Sequence, residues 1–427
     1  MKKQFLASVS VAVCAALGVC ACSSAEDDSV FTGEKVDIPE WQAELDMISP
    51  EVYGTVDDLD LEPGTYISVI GKMENSPYWE QVREGVNQAA DDINEKLGYS
   101  GDDKVKVLYN APSDGEDVDE QVNILDEELA RYPDVIAIAS IDENESAVQF
   151  DLAVSNGIQI VAFDSGNTYQ GIQCTAMTDN AAAAAEGASK LCQAIEESGE
   201  VALIVQDSVS GNARQRAEAF RSEVENSHPG VSVVETIYMD QLDDLKQQAA
   251  AEKLGVTAEE LETWINEASG VSDGEDGSSQ DTEDGEEGGT ISEAARTRLE
   301  DINSIAEDMS DEDAVVYYLE KHPELNGCFG TNADAVMLAA NAVDQMEKSE
   351  EITVMGFDAG SELNAALENG SIDGLIVQNP FGMGYAAVVA AARTALEIGN
   401  EAMVDTGYTW VDRDNLEDEN IQQILYE

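Results

Sequence analysis

Residues 65–85 read TYISVIGKMENSPYWEQVREG, and the fold turns on what this stretch does. Its first half is a short β-rich run ending at Val69 and Ile70, and a polar loop follows. Ser76 and Pro77 then supply a helix N-cap and a proline at the first helical position. Trp79, Val82, Val86, Ala90, Ile93 and Leu97 recur at helical spacing, so the helix beyond the loop has one core face. Tyr78 and Trp79 are neighbours and cannot both point into that stripe. Either both are ordinary core aromatics, or one is left near the carboxyl end of the strand, where open α/β sheets bind ligands.

The same strand, loop and helix pattern repeats along the chain. Strands are expected at 66–70, 105–109, 135–139 and 160–163, with helices at 77–97, 118–131 and 146–156. A second series has strands at 201–205, 231–238, 325–329, 352–357 and 374–377, with helices at 181–195, 213–224, 314–320, 333–346, 362–367 and 384–398. Short strands alternating with longer helices predict βαβ units and parallel sheets. One sheet of so many strands is unfavourable, so the fold class is α/β with two doubly wound parallel-sheet lobes. An insertion at 241–310 interrupts the second series. Its Thr257-Ala258-Glu259-Glu260 is a capping box ahead of Leu261, Trp264 and Ile265, and a second helical stretch covers 291–309. Between them, residues 272–289 are rich in Gly, Ser, Asp and Glu with no aliphatic or aromatic residue, which predicts a solvated, disordered loop. The oxygens there do not fall at EF-hand spacing, so a calcium role is not expected.

With 427 residues and 43% hydrophobic content the chain can build sizeable cores. Its 21 Lys and Arg against 89 Asp and Glu leave a formal charge of -68, which repels nucleic acid and anionic lipid headgroups. Lys2 and Lys3 precede an apolar run from Phe5 to Val19, as in an export signal covering residues 1–21. Val19-Cys20-Ala21-Cys22 resembles a bacterial lipobox, which makes Cys22 the expected lipidation site; a cleaved signal without lipid, or an uncleaved anchor, is the alternative. Residues 22–63 are acidic and aperiodic, as suits a tether and N-terminal extension, with Trp41, Leu45, Met47 and Ile48 available to dock part of it. Cys174, Cys192 and Cys328 remain beyond it. Buried thiols are the expectation, and a Cys174–Cys192 disulfide is left open. No metal-ligand spacing is present, and neither a metal nor a cofactor is expected.

An enzyme has little to work with here. The two histidines sit in the same context, His228-Pro229 and His322-Pro323, and no nucleophile elbow, P-loop or zinc-protease motif occurs. Polar residues instead collect where predicted strands end: Asn75, Asp164, Tyr238 to Asp240, Asn332, Asp358 and Gln378, with Arg216 on the helix after another strand. The carboxyl ends of parallel strands share one edge, so these side chains can face one cleft.

In this order the motifs resemble the type I periplasmic sugar-binding proteins of the ribose-binding kind. ENSPYWEQVREG resembles the first ligand loop, with Asn75 as a polar contact and Tyr78 and Trp79 as plates for a sugar face. VAFDSG resembles the strand bearing the ligand aspartate, here Asp164, and ARQRAEAF the segment whose second arginine, here Arg216, binds ligand. GTNADAVMLAA, VMGFDAG and LIVQNPFGMGY are similar to the last three signatures, which implies ligand roles for Asn332, Asp358 and Gln378. Ser165-Gly166 stands where the ribose pattern has an arginine after the aspartate, which argues against ribose itself. The resemblance implies an N-terminal lobe of 64–178 with 379–404, a C-terminal lobe of 179–378 with 405–427, and a three-crossing hinge that closes over a sugar or sugar-like molecule. It further implies a monomer on the outer face of the cell membrane, delivering ligand to the permease of an ABC importer. Signalling to a membrane sensor kinase is the alternative.

Overall fold

The computed structural model describes residues 39, 41–113, 116–269 and 291–426. The expected export signal, Cys22 and the acidic stretch 272–289 lie outside them. The quoted stretch forms strand β1 (Tyr66–Ile70) and the helix Pro77–Leu97. Ser76 Oγ accepts the Trp79 N–H at 3.2 Å, Pro77 sits in the first turn, and Gly98 ends the helix in a left-handed conformation. With β2 (Lys106–Asn110), β3 (Val135–Ile138), β4 (Gln159–Phe163) and β5 (Ile172–Met177) it begins the first lobe. The second lobe contains β6 (Gly199–Val205), β7 (Val231–Tyr238), β8 (Leu325–Gly330), β9 (Thr353–Phe357) and β10 (Gly374–Gln378). The chain then returns for β11 (Met403–Asp405) and crosses again for β12 (Tyr408–Asp412).

Two six-stranded sheets result, ordered β11-β5-β4-β3-β1-β2 and β12-β10-β9-β8-β6-β7. All pairs are parallel except β10 with β12. Both sheets are covered by helices on each face, which is why the central strands are almost continuously apolar. The three passages between sheets follow β5, β10 and β11. β5 is not among the expected strands; the run IQCTAM alternates in burial and carries few β-branched residues.

On the first sheet, the helices Pro77–Leu97 and Pro380–Ala395 meet backbone to backbone. A Cβ built on Gly85 would stand 2.0 Å from the Phe381 carbonyl oxygen, and one on Gly384 would stand 2.0 Å from that of Val82. The acidic extension read as a tether is packed into this lobe from Trp41 onward, with Leu45, Ile48, Tyr53, Leu59 and Leu61 buried in its core. It also meets the passages between the sheets. Ser49 and Asp405 exchange backbone hydrogen bonds of 2.8 and 3.0 Å, and the Asn379 amide donates to the carbonyls of Glu44 at 2.7 Å and Thr406 at 2.8 Å.

Within the insertion, the helices Leu242–Lys253, Ala258–Ser269 and Glu293–Glu307 build a small core around Ala250, Val256, Leu261 and Ile302. Cys174, Cys192 and Cys328 are free and buried, the first in the core of the first lobe and Cys192 in the second. That separation removes the Cys174–Cys192 disulfide. Burial pushes all three thiols up to about 12, so they are inert at neutral pH. No helix among the described residues is long and apolar enough to cross a membrane.

Gly85→Ala tests the helix contact that sets where the Tyr78 loop emerges. Alanine favours the helix by about 1 kcal/mol, yet overpacking costs about 1–3 kcal/mol. A net loss in urea unfolding is therefore expected, and a net gain would mean the two backbones do not touch.

Candidate functional site

The described residues from 41 to 426 form one compact unit, and a cavity of about 500 Å³ lies between the facing strand ends. Asn75, Tyr78, Trp79, Asp164, Arg216, Asn332, Asp358 and Gln378 all line it. The structure thus brings every sequence-predicted ligand residue to one place, each at the carboxyl end of a parallel strand or in the loop or helix after it. Tyr238 to Asp240 are absent from the lining; Asp240 instead accepts from the Ser208 hydroxyl at 2.6 Å, beside the start of the insertion.

The two lobes contribute matching corners. Asp164 follows Phe163 at the end of β4 and Asp358 follows Phe357 at the end of β9. Both have left-handed backbones, with φ of 53° and 78°, a region that aspartate tolerates better than most residues. Each passes its N–H to the next strand, Asp164 to Ala176 at 3.0 Å and Asp358 to Ile376 at 2.8 Å. The carboxylates are therefore aimed by the sheets themselves rather than by mobile loops.

In the second lobe a chain of hydrogen bonds fixes the polar surface. Arg216, 2% exposed, donates to Asn180 Oδ1, the Thr331 carbonyl and Gln378 Oε1, each at 2.7 Å, and its guanidinium lies 4.2 Å from the centre of the Phe357 ring. Gln378 Oε1 also accepts from the Thr178 hydroxyl at 2.9 Å, while its amide donates to Asp358 Oδ1 at 2.5 Å. Asp358 Oδ2 accepts the Ala333 N–H at 3.0 Å. Burial raises the Asp358 pKa, with Arg216 and the Gln378 hydrogen bond opposing it. Asn332 caps the helix Ala333–Gln345 through its side-chain oxygen, so its amide nitrogen is the part left for a ligand.

In the first lobe the Tyr78 hydroxyl donates to Asp164 Oδ1 at 2.8 Å, and burial followed by the Asp164 charge raises its pKa well above the usual phenol value. Trp79 is almost wholly in the core, edge-on to both Tyr78 and Phe163, and touches the cavity with what remains. Asn75 is exposed at the rim.

Sequence reasoning missed Lys72, Glu116 and Gln206 in the same lining. The Lys72 ammonium is 1% exposed, 3.5 Å from Asp164 Oδ2 and 3.9 Å from Glu116 Oε1, and has no hydrogen-bond partner among the described residues. Burial pulls its pKa down, but Glu116, Asp164 and Asp207 outweigh this and hold it above the ordinary lysine value. Burial raises the Glu116 pKa, with Lys72 opposing. Gln206 donates across the cleft to the Glu116 carboxylate at 3.2 and 3.3 Å. A lysine two residues past a buried strand was a usable signal, and Gln206 directly follows β6 much as Gln378 closes β10; Glu116 is one acid among many. Carboxylates that accept, a buried ammonium and amides that donate, and an aromatic wall make a surface for a molecule rich in hydroxyls. No histidine or cysteine is in the lining. Among the described residues no cluster of His, Cys, Asp and Glu has the arrangement to hold a metal.

The chain matches the family model described as periplasmic binding protein domain over residues 67–274 and 300–400. No curated protein sequence matches it. Similar solved structures include a carbohydrate transporter solute-binding protein from Agrobacterium radiobacter in complex with D-arabinose, with 23% identity and a TM-score of 0.60 over 84% of this chain and 98% of that one. An ABC transporter solute-binding protein from Agrobacterium vitis bound with α-D-tagatopyranose has 21% identity and a TM-score of 0.61, over 85% and 99% of the two chains. A glucose-galactose binding protein from Geobacillus stearothermophilus has 19% identity and a TM-score of 0.60, over 83% and 99%. At such identities the likeness shows the fold.

Lys72→Met leaves two carboxylates facing each other in a buried site, which is expected to cost about 3–5 kcal/mol of stability at pH 7. The sign with pH follows from the direction of each shift. A lysine raised in the folded state stabilises fully below its ordinary pKa and loses that contribution as pH rises through the higher value. In the variant, Glu116 is raised further, so acidification below neutral recovers stability. Urea unfolding at pH 5, 7 and 9 checks this, and equal stability of the two proteins at pH 7 would show that Lys72 neutralises nothing.

Proposed function

The chain belongs to the periplasmic binding protein family, and from that premise we propose that it captures a sugar or sugar-like small molecule by lobe closure and delivers it to an ABC importer. The observation that carries this reading is the cavity itself, where matching aspartate corners from both sheets face a shared space beside a buried cation on each side. A ring of hydroxyls can donate to Asp164 and Asp358 while accepting from Lys72, Asn332 and the free donors of Asn75. Each such bond nets about 1 kcal/mol, and somewhat more with a charged partner, so capture needs many at once and hence enclosure. We assign the hinge to the three passages, with lobes of 64–178 plus 379–404 and 179–378 plus 405–427 turning about them.

The ligand differs from ribose in this reading. Ser165, in the place of the arginine of the ribose pattern, is buried and gives its hydroxyl to the Ser140 carbonyl at 2.6 Å, away from the cavity. The cation beside Asp164 is Lys72, which comes from the loop after β1 in the same lobe. Neutral pentoses and hexoses fit this balance better than acidic sugars, because Asp164 and Glu116 already surround the ammonium. The arabinose, tagatose and glucose-galactose named for the similar structures set the first compounds to try. The protein acts as a binding protein and not an enzyme, as a monomer held by lipid at Cys22 on the outer face of the cell membrane, with the permease as its partner.

A thermal-shift panel of D-arabinose, D-tagatose, D-galactose and D-glucose is expected to give at least one sugar that raises the melting temperature, since ligand at 100 times its Kd adds about 2.7 kcal/mol. Asp164→Asn should weaken that sugar roughly tenfold to a hundredfold, as fits loss of a charged acceptor. Scattering should show compaction with the same sugar. Silence of a broad sugar panel in both measurements would overturn the reading.

A further inference from the structure

The last described segment, residues 416–426, lies on the second lobe, with Leu416, Ile421 and Tyr426 buried in its core. Tyr426 is tied there twice. Its hydroxyl accepts the Ala359 N–H at 3.1 Å, and its carbonyl accepts from the Asn364 amide at 3.2 Å. Ala359 is the residue after Asp358 and lines the cavity. The ring of Tyr426 then reaches across the cleft, where it stands edge-on to Tyr78 of the first lobe, centroids 6.2 Å apart and planes at 75°. Tyr78 in turn holds Asp164. A continuous path therefore runs from one aspartate corner to the other through the two phenols.

Among the described residues, Thr178 meets Gln378 at the first passage, and two further side-chain pairs span the open part of the cleft, Arg214 with Glu143 and Gln206 with Glu116. Both involve carboxylates with some access to solvent, and the first is a partly exposed ion pair, the kind that salt screens. The ring pair is different. Tyr426 is 5% exposed and Tyr78 partly buried, and an edge-to-face contact between two uncharged rings is not screened by salt as an ion pair is.

We propose that residues 416–426 are an interlobe latch, in which Tyr426, anchored on the second lobe, holds Tyr78 of the first and favours the closed arrangement before ligand arrives. Tyr426 is a positioning residue: it acts on the site through Tyr78 and through the Asp358–Ala359 loop.

The test uses the full chain without any sugar, so its outcome stands apart from the capture reading above. Scattering is recorded in about 0.5 M NaCl, where the Debye length is only a few ångströms and ion pairs across the cleft are weakened. Tyr426→Leu, which keeps apolar volume in the second core, is expected to increase the radius of gyration, whereas Tyr426→Phe, which keeps the ring, stays near the natural protein. Tyr78→Leu breaks the same contact from the other lobe and covers the case in which Tyr426→Leu does not fold. It should open the molecule equally, and the double variant should open it no further. An unchanged radius of gyration in a folded Tyr426→Leu or in Tyr78→Leu overturns the latch, as does full additivity in the double variant.

Discussion

The buried guanidinium of Arg216 is the constraint on which the rest of the site depends. Taking it out of water costs several kcal/mol, and the offset comes from three short hydrogen bonds and the face of Phe357. Those partners come from distant parts of the chain: Asn180 just after the first passage between lobes, Thr331 after β8, and Gln378 at the end of β10 before the second passage. One side chain therefore sets the relative position of two passages and one strand end. Through Gln378 it also fixes the rotamer of Asp358. A cation that resembles a ligand contact in the sequence is, in the fold, chiefly the organiser of the contacts around it.

The two aspartate corners show how little the loops have to do. In each lobe a buried phenylalanine anchors the strand end, the aspartate turns into the left-handed region, and its N–H closes onto the neighbouring strand. The carboxylate direction follows from sheet geometry, so opposing the two sheets is enough to oppose the two carboxylates. What differs between lobes is the cation supplied: a lysine from the β1 loop on one side, an arginine from a helix on the other.

Most of the architecture was legible because burial on both faces imposes a strong pattern. Strands such as β1, β9 and β10 read as apolar runs, and the strand-end rule then placed Asp164, Asp358, Asn332 and Gln378 at one edge. The rule failed in two ways. It included Tyr238 to Asp240, whose strand end leads directly into the insertion and is drawn to Ser208. It omitted Lys72 and Gln206, which satisfy it, and Glu116, which lies too far along a loop for any periodicity to mark. β5 and the packed part of the extension escaped for another reason. Leu45, Ile48, Tyr53, Leu59 and Leu61 are buried at irregular spacing against a surface made by distant residues, and a local period carries no trace of that. Trp79 was readable as helix stripe or as cavity wall, and it is largely the first.

The extension has a mechanical consequence. Its first part meets the body at Asn379 and Asp405, in the passages around which the lobes would turn, before Tyr53, Leu59 and Leu61 enter the core of the first lobe. A load applied through the preceding chain would thus enter the molecule beside the proposed hinge. If the lobes close as proposed and the protein is held through its N-terminal side, tension there would pull beside the pivot rather than at the tip of a lobe, and the free energy of closing would depend little on how tautly the protein is held.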